Sequence, residues 1–538
     1  MAGVFKKTAG TVAGAFGAIA AWDLSQRKHA IKRNFPVIGH ARYLLESIRP
    51  EIQQYFVESN TDGRPFDRVT RSMIYERAKG IHSVTAFGTE LDIQAIGYDH
   101  LLHTVSPVPV MEQAPSIRIG GPDCTQPFDT SLLNISSMSF GALSSRAVLA
   151  MNKGAAKGGF IQETGEGGLS KYHLEYGAPL IWELGSGFFG ARTKDGRFDP
   201  EQFKEKAANE NVKGILIKLS QGAKPGMGGQ LPGEKVTEEI AEARGVEPGK
   251  SVISPAANPE FSTPRELMEF IARVRKLAGG KPVGFKLCVG SRVEFLAMCK
   301  AMLETGITPD FIHVDGSEGG TGAAPGEYAD HMGTPLSEGL IVVQNALVGC
   351  GLRDKIAIGA AGKVAAGNDI IKRLALGADY CNAARPMMMA VGCIQAQKCQ
   401  TNRCPTGVAT QNKWLAHGID IDDKGERVYR YQKATVESAM HLLASMGLDD
   451  FDALGPRHVV RRVDEYHLVT YADIAEWLEP RALLEGTASE SWAKDFETAN
   501  ADRFQEPAAA HIRSGASRKA AKEFSAQVRE SQNQHDRD

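Results

Sequence analysis

Eight short apolar runs recur between residues 132 and 386, and patterns typical of amphipathic helices separate them. Each run ends in a polar or glycine-rich turn, as buried strands commonly do. Strands that alternate with helices form a parallel sheet, and eight such units predict a closed (β/α)8 barrel. An open, doubly wound sheet is the alternative. The runs are LLNISSMS (132–139), FIQETG (160–165), LIWELGS (180–186), GILIKLS (214–220), PVGFKLC (282–288), FIHVDGS (311–317), KIAIGAAG (355–362) and YCNAARP (380–386).

The same patterning divides the chain into five regions. We expect an α/β fold with a TIM barrel at residues 126–448, a small helical lead-in at 31–125 and a helical extension at 449–485. An Ala/Gly-rich segment occupies residues 1–30. Residues 486–538 are charged and poor in aromatic side chains, which predicts a mobile tail.

The N-terminal segment is apolar but short. Lys6 and Lys7 precede the 15-residue run Thr8–Trp22, whereas a spanning helix needs about 20 apolar residues. We expect a loosely packed surface helix and keep membrane association through the N-terminus as an alternative. The 8 cysteines suit a reducing compartment, so we expect a cytoplasmic protein. A net charge of −2 argues against nucleic acid as a partner.

The predicted strand ends carry the candidate site, because the chemistry of a (β/α)8 barrel lies in the loops after its strands. Nearly every one of these loops is polar or rich in glycine, which ordinary turns do not explain. The candidate cofactor-binding positions among them are Ser137, Met138, Ser139, Thr164, Gln221, Lys286, Gly319, Gly320, Gly362, Lys363, Ala384 and Arg385.

The loops after the last two strands are the usual phosphate site of this fold. Gly362, Lys363, Ala384 and Arg385 fall there, and backbone N–H groups with a cation suit the monophosphate of a cofactor. Lys286 lies on the fifth run, where a lysine is costly to bury unless it meets a negative group. That group is either a carboxylate of the barrel core or the N1–C2 carbonyl edge of a reduced flavin. FMN is therefore a hypothesis that the residues alone support.

Three cysteines stand close together after the last run. Cys393, Cys399 and Cys404 follow a C-x5-C-x4-C spacing, and Pro405 comes directly after the third. Thiolates in a short loop with a following proline are typical ligands of an iron–sulfur cluster. Zinc is the rival interpretation, but it wants four ligands, and the nearest histidine, His417, would have to fold back. Three buried apolar cysteines that bind no metal are the third interpretation.

Several of these segments resemble the synthase portion of glutamate synthases, above all of the shorter members of that family. The resemblance covers residues 131–411 and implies a barrel that binds FMN beside a 3Fe-4S cluster held by Cys393, Cys399 and Cys404. The matching blocks are ISSMSFGALS, TGEGG, QGAKPGMGGQLPG, VGFKLC, GGTGAAP, GLRDKI, LGADYCNAARPMM and the cysteine loop. The FMN contacts that the resemblance implies are Ser137, Met138, Ser139, Gln221, Lys286, Gly362, Lys363 and Arg385.

The resemblance also implies a reaction. In that family the cluster feeds electrons to FMN, which reduces 2-iminoglutarate, made from 2-oxoglutarate and ammonia, to L-glutamate. We expect Lys286 to stabilise the reduced flavin. Glu166, in the TGEGG loop, is expected to supply or relay a proton, with bracing of the glycine turn as the alternative. Arg292 is expected to anchor a substrate carboxylate, with an ordinary helix surface as the alternative.

The chain differs from the full-length enzymes of that family. Its first 123 residues contain no cysteine, so the nucleophile of a glutaminase domain is missing. No strand pattern is followed by the G-x-G-x-x-G of a dinucleotide site. We therefore expect electrons from ferredoxin or a separate reductase subunit, and ammonia from solution or a separate glutaminase subunit.

Three other functions stay open from the sequence. The first is a related FMN and iron–sulfur enzyme that uses a different amine, such as a subunit of N-methylglutamate synthase. The second is a non-catalytic subunit whose flavin and cluster only transfer electrons. The third is a purely structural barrel.

Overall fold

The computed structural model describes residues 2–505, except for the side chains of residues 2–7 and 9. The chain begins with a helical lead-in, in which a π-helical turn, Gln53–Val57, follows the third helix. No helix within residues 2–505 is long and apolar enough to cross a membrane. The four helices of the lead-in are α1 (Ala2–Ser25), α2 (Ala30–Asn34), α3 (Gly39–Ile52) and α4 (Arg68–Lys79).

One buried carboxylate holds the first three helices together. Asp23, near the end of α1, is fully buried. It accepts a hydrogen bond from the backbone N–H of Val37 at 2.9 Å, and its other oxygen lies 2.8 Å from Nε2 of His40. The chain between α1 and α3 therefore folds back on Asp23, as a buried carboxylate requires partners.

Three short strands connect the lead-in to the barrel: β1 (Asp99–Leu101), β2 (Ile117–Ile119) and β3 (Phe128–Thr130). β2 and β3 form an antiparallel hairpin. Ile119 and Phe128 of that hairpin pack against Phe311 and Tyr380, so the hairpin covers the amino-terminal end of the barrel.

Eight parallel strands close into a barrel, which confirms the predicted fold and excludes the open sheet. The closing contact pairs the last strand with the first, Cys381 opposite Leu133. Each of the eight predicted runs overlaps one barrel strand, and β7 begins two residues before its run. These strands are β4 (Leu133–Ile135), β5 (Gln162–Glu163), β6 (Leu180–Leu184), β7 (Val212–Lys218), β10 (Val283–Leu287), β11 (Phe311–Asp315), β12 (Ala357–Ala361) and β13 (Tyr380–Ala383).

The excursion between the fourth and fifth barrel strands is elaborated, as predicted. It contains an antiparallel hairpin, β8 (Gln230–Leu231) with β9 (Val252–Ile253). The helices of the barrel region are α5 (Ser145–Gly158), α6 (Lys171–Leu174), α7 (Pro200–Ala207), α8 (Glu238–Arg244), α9 (Pro264–Leu277), α10 (Arg292–Thr305), α11 (Gly326–His331), α12 (Leu336–Gly349), α13 (Gly367–Ala375), α14 (Arg385–Val391), α15 (Lys413–His417) and α16 (Ile421–Ser445).

The C-terminal extension is a mixture of sheet and helix rather than helix alone. β14 (Val459–Arg462) and β15 (Leu468–Thr470) form an antiparallel sheet with β1 of the lead-in. The helices are α17 (Tyr471–Ile474), α18 (Ala482–Glu485) and α19 (Glu490–Thr498). Trp492 of α19 is buried, which corrects the predicted mobile tail for this part of residues 486–538. Residues 506–538 lie outside the described residues.

A buried ion pair ties the amino-terminal end of the barrel together. Asp310 and Arg275 are both buried, and Arg275 Nε donates to Asp310 Oδ2 at 3.0 Å. Asp310 also accepts the backbone N–H of Gly121 at 2.7 Å and that of Val283 at 2.7 Å. One carboxylate thus links α9, the start of β10 and the segment before β3.

We expect Asp310→Ala to lower the free energy of unfolding by about 3–5 kcal/mol, because it removes the buried carboxylate of the pair and leaves the Arg275 guanidinium with only Asp123, a half-exposed carboxylate 3.6 Å away. The control is Asp129→Ala, whose partner Arg118 is mostly exposed; that change is expected to cost about 0–1 kcal/mol. Denaturant unfolding monitored by circular dichroism measures both. Equal, small losses would show that the pair contributes no more than a surface pair.

Candidate active site

A cavity of about 850 Å³ opens at the carboxyl-terminal ends of the barrel strands. A much smaller cavity, about 40 Å³, adjoins it at the loops after β12 and β13. The larger cavity is also bounded by Arg64 and Pro65 of the lead-in and by the cysteine loop. The chain thus brings three separate segments to the end of the barrel where this fold carries its chemistry.

Most residues predicted for the site line these cavities, and three do not. Gly362 lines the smaller cavity. Thr164, Arg292 and Cys404 are absent from both walls. The predicted residues that line the larger cavity are Ser137, Met138, Ser139, Glu166, Gln221, Lys286, Gly319, Gly320, Lys363, Ala384, Arg385, Cys393 and Cys399.

Thr164 supports the turn after β5 instead of facing the cavity. Its side chain is fully buried. Its Oγ1 accepts the backbone N–H of Glu183 at 3.1 Å and donates to the carbonyl of Gly165 at 3.0 Å. The prediction of a cofactor contact at Thr164 is therefore corrected to a role in shaping the glycine turn.

Arg292 is held by the C-terminal extension. It begins α10, and its guanidinium pairs with Asp495 of α19 and donates to Ser491 Oγ at 2.7 Å. Its guanidinium carbon also lies 4.3 Å from the ring centre of Trp492. Because these partners occupy the guanidinium outside the cavity, the structure corrects the interpretation of Arg292 as a carboxylate anchor.

Lys286 occupies the centre of the site on β10. Its ammonium lies 3.7 Å from Asp315 and 3.9 Å from Glu183. Burial by itself would lower the pKa of Lys286, but attraction to Asp315, Glu183 and Glu163 outweighs it and raises that pKa. Lys286 therefore stays positively charged, is paired to core carboxylates and still faces both cavities.

A buried network lies behind Ser137. The hydroxyl of Ser137 donates to Glu163 Oε2 at 2.5 Å, and the other oxygen of Glu163 lies 3.0 Å from Nδ1 of His313. Nε2 of His313 in turn lies 2.6 Å from the hydroxyl of Tyr380. Because its proton is committed to Glu163, Ser137 offers lone pairs toward the cavity and acts there as an acceptor.

Glu166 lies in a tight position beside a lysine. Lys218 Nζ donates to Glu166 Oε2 at 3.1 Å. A Cβ atom on Gly229 would lie 1.6 Å from Glu166 Oε1, so a larger residue there would displace the Glu166 carboxylate. Burial acts to raise the pKa of Glu166, but Lys218, Arg244 and Lys224 outweigh it and lower that pKa. A carboxylate in this state can accept a proton at neutral pH but has none to give.

The sequence analysis missed the cations around Glu166. Lys224 is only 2% exposed, lines the cavity, and its pKa is lowered by burial and by the neighbouring Lys218. Within residues 2–505, no hydrogen bond or ion pair of its ammonium is found. Arg244 Nη2 donates to Ser139 Oγ at 3.2 Å and to the carbonyl of Phe140 at 3.1 Å. These cations could have been predicted from two lysines in the sequence, one at the end of an apolar run and one in the glycine-rich loop after it.

Two cations stand at the smaller cavity. Lys363 adopts a left-handed backbone conformation with φ 51°, directly after Gly362 with φ 152°. Burial lowers the pKa of Lys363, and the positive charges of Arg385 and Arg64 lower it further. Arg385 Nη2 donates to the carbonyl of Glu318 at 2.6 Å. The two cations face a space between strand ends where an anion would relieve their repulsion.

The cysteine loop lies against the same cavity. Cys393 and Cys399 line it, and Cys404 is buried beside them. Burial raises the pKa of Cys393 to about 12, and the charges of Cys399 and Cys404 act in the same direction, so the three thiols are electrostatic neighbours. In the described part of the chain, no three Cys, His, Asp or Glu side chains converge closely enough to hold a single metal ion.

The lead-in fixes the shape of this loop. Gln395 Oε1 accepts the backbone N–H of Phe66 at 3.1 Å, while its Nε2 donates to the carbonyls of Phe66 at 2.9 Å and Arg64 at 3.2 Å. Tyr75 donates its hydroxyl to the carbonyl of Cys393 at 2.9 Å. Gln395 has φ 58°, an unusual value for a residue other than glycine. The contacts with the lead-in hold Gln395 in this backbone conformation. The cysteine spacing did not predict these contacts.

Comparisons with known proteins give a consistent picture. The conserved region of glutamate synthase matches residues 121–449. The glutamate synthase large subunit-like protein YerD of Bacillus subtilis is 38% identical over 83% of this chain and 92% of that protein. An archaeal glutamate synthase [NADPH] of Archaeoglobus fulgidus is 35% identical over 61% of this chain and 61% of its own length. A crystal structure of a lactate oxidase of Pediococcus acidilactici covers 79% of this chain and 94% of its own at 14% identity and a TM-score of 0.41. A likeness at that level adds nothing to the barrel topology.

We expect Gln395→Ala to open the cysteine loop. The change removes three hydrogen bonds of about 1 kcal/mol each, so alkylation of Cys393 in metal-free protein is expected to accelerate about tenfold or more. Gln397→Ala is the matched control, because Gln397 also has a positive φ but makes one weak bond of 3.4 Å. Peptide mass mapping of alkylated Cys393 measures both rates. Equal rates in the two variants would show that Gln395 does not hold the loop.

Proposed function

The chain belongs to the glutamate synthase family, and from that premise we propose that it is an oxidoreductase of the glutamate synthase type. The proposed reaction is reductive amination of 2-oxoglutarate, through 2-iminoglutarate, to L-glutamate. The observation that carries the proposal is the buried ammonium of Lys224, which faces the cavity without a partner in the described residues. A buried cation of this kind calls for an anionic ligand.

The substrate end of the cavity is assigned to the residues around Lys224. Lys218, Lys224 and Arg244 supply three cations against the single carboxylate of Glu166. This excess of positive charge suits a dicarboxylate such as 2-oxoglutarate. Lys224 takes the role of carboxylate anchor that was predicted for Arg292. Lys218, at the end of β7, donates to Glu166 and adds a second positive charge close to Lys224.

The residues at the other end of the cavity fit FMN. Lys363 and Arg385 face the smaller cavity, and burial lowers the pKa of each. Two neighbouring, partly buried cations suit the dianionic monophosphate of the cofactor. The proposed cofactor contacts are therefore Ser137, Met138, Ser139, Gln221, Lys286, Gly319, Gly320, Gly362, Lys363, Ala384 and Arg385.

Bound flavin would supply the capacity to store two electrons and to pass them on as a hydride. The chain's own groups would create the conditions for that chemistry. Lys286 holds a positive charge in the barrel core, where it stabilises negative charge on the ligand above it. Ser137 presents an acceptor rather than a donor. Burial acts to raise the pKa of Glu166, but the neighbouring cations outweigh it and lower that pKa, so Glu166 has no proton to give to the developing amine.

The three cysteines are proposed to hold a 3Fe-4S cluster. Cys393, Cys399 and Cys404 are electrostatic neighbours. Burial raises the pKa of Cys399, and the positive charge of Lys235 acts against that rise. Each thiolate of a cluster binds a different iron, so the sulfurs stand farther apart than around a single ion. When bound, the cluster would supply one-electron transfer to the flavin site.

The partners follow from this proposal. Electrons would come from ferredoxin or a separate reductase subunit, and ammonia from solution or from a separate glutaminase subunit. The chain aligns with about three fifths of the archaeal enzyme, so functions of the remainder of that protein are not carried over. An enzyme that uses another amine, such as methylamine to give N-methylglutamate, would employ the same anion site.

We expect Lys224→Met to raise the KM for 2-oxoglutarate about 10- to 100-fold, because the loss of a charge-assisted hydrogen bond costs about 1.5–3 kcal/mol. Lys194→Met, at an exposed lysine after β6, is the control and should leave KM unchanged. Steady-state oxidation of reduced enzyme by 2-oxoglutarate with ammonium, and separately with methylamine, measures both variants. An unchanged KM would remove Lys224 from the site. Reduced flavin that neither amine reoxidises would contradict the reaction itself.

We expect Cys399→Ser and Cys404→Ser to lose iron while keeping FMN, because each removes one of three thiolate ligands. Cys124→Ser, at a cysteine beside the barrel's amino-terminal hairpin, should keep both cofactors. Iron and flavin assays on anaerobically purified protein test this, with about three irons per flavin expected for the unaltered chain. If the Cys399 and Cys404 variants kept the iron content of the unaltered chain, these cysteines would be buried side chains that bind no metal.

A further inference from the structure

Helix α3 carries an apolar stripe on its solvent-facing side. Leu44, Leu45, Ile48 and Ile52 are 63%, 60%, 42% and 39% exposed. Their spacing places them on one side of the helix. On a helix that packs against a protein core, this stripe would be buried. Phe56, in the π-helical turn that follows, is 85% exposed and extends the stripe.

Helix α1 also carries exposed apolar side chains. Val12, Phe16 and Ile19 recur at i, i+4 and i+7 and are 49%, 51% and 40% exposed. Trp22 is 70% exposed. Every residue from 10 to 22 is exposed except Ala20, which is partly buried. We call the side chains of this surface the N-terminal apolar surface, and they are Val12, Phe16, Ile19, Trp22, Leu44, Leu45, Ile48, Ile52 and Phe56.

The charge around this surface is positive. Between Leu24 and Leu45 the chain contains five basic residues, Arg27, Lys28, Lys32, Arg33 and Arg42, and no acidic residue. Asp23, immediately before, is fully buried against Val37 and His40. Within the described residues, no ion pair engages these five basic side chains. The exposed surface from residue 24 to 45 therefore combines apolar and cationic groups.

We propose that the N-terminal apolar surface binds at the surface of an anionic lipid bilayer. The helices would lie in the boundary between head groups and acyl chains, with the basic residues against the lipid phosphates. At 1.5 Å per residue α1 is about 36 Å long, which gives a long contact along the interface. Trp22 and Tyr55, both exposed, are residue types that favour this depth. Crossing the bilayer forms no part of this proposal.

Charge decides between a bilayer and a second copy of the chain. A symmetric contact between two N-terminal surfaces would bring basic clusters of the same sign together, which costs energy. An anionic bilayer instead neutralises them. An exposed apolar surface of this extent is also rare on a monomeric soluble protein and marks an interaction site. These features belong to the lead-in alone and do not depend on the proposed function.

The test is co-sedimentation of the full chain, with its cofactors bound, with lipid vesicles. We expect binding to vesicles of phosphatidylcholine with added phosphatidylglycerol, weaker binding to phosphatidylcholine alone, and a decrease as salt rises. The double variant R27E/K28E should weaken binding by about fivefold or more for each position. L44S/I48S should weaken it about tenfold for each side chain removed from the interface.

The control is Tyr466→Ser, which removes a large side chain, 85% exposed, from the C-terminal sheet region and should bind like the unaltered chain. Thermal unfolding and flavin content confirm that each variant is folded. Three results would overturn the proposal: no binding to either vesicle, equal binding to both, or a dimer by light scattering that L44S/I48S dissociates without any vesicle binding.

Discussion

Burial of the Lys286 ammonium inside the barrel is the interaction around which the site is built. A lone ammonium in such a place would give up its proton, because desolvation penalises the charged form. Asp315, Glu183 and Glu163 reverse that outcome. They lie on β11, β6 and β5, of which only β11 pairs directly with β10, so the curvature of the barrel sheet brings the other two to the same lysine. The charge at the floor of the cavity is therefore a property of the closed barrel, not of any single segment.

The floor and the walls of the cavity are balanced differently. At the floor, carboxylates outnumber the lysine. On the walls, cations outnumber the carboxylates Glu166, Glu318 and Asp330, and five of these cations form two groups. One group, Lys363 and Arg385, lies after the last two strands. The other, Lys218 and Lys224 with Arg244, lies after the fourth strand and on α8. Two separate cationic ends suit one ligand with a phosphate and another with carboxylates, lying side by side over the same lysine.

The barrel could be predicted because each apolar run and each helix has a recognisable pattern within a few residues. Each of the eight runs overlaps a strand of the barrel. The cofactor end followed from the fold, since strand ends meet at one rim. The contact of Arg292 with α19 could not be predicted, because its partner Asp495 lies about two hundred residues away in the sequence. The hydrogen bond from the backbone N–H of Phe66 to Gln395 could not be predicted for the same reason. The burial of Trp492 in the supposed tail likewise depends on distant partners. Contacts between segments that are distant in the sequence produce no periodic pattern from which they could be predicted.

The lead-in connects the two proposals physically. Its later part, from Arg64 to Tyr75, shapes the cysteine loop. Its earlier part carries the N-terminal apolar surface, and Gln54, directly after α3, donates to the carbonyl of Ile394 at 3.1 Å. That carbonyl is one residue from Cys393. If α1 and α3 lie in a bilayer surface, the cysteine loop is held close to that surface. An electron donor to the proposed cluster would then approach from the side of the molecule or from the membrane itself, since the lead-in covers part of the approach.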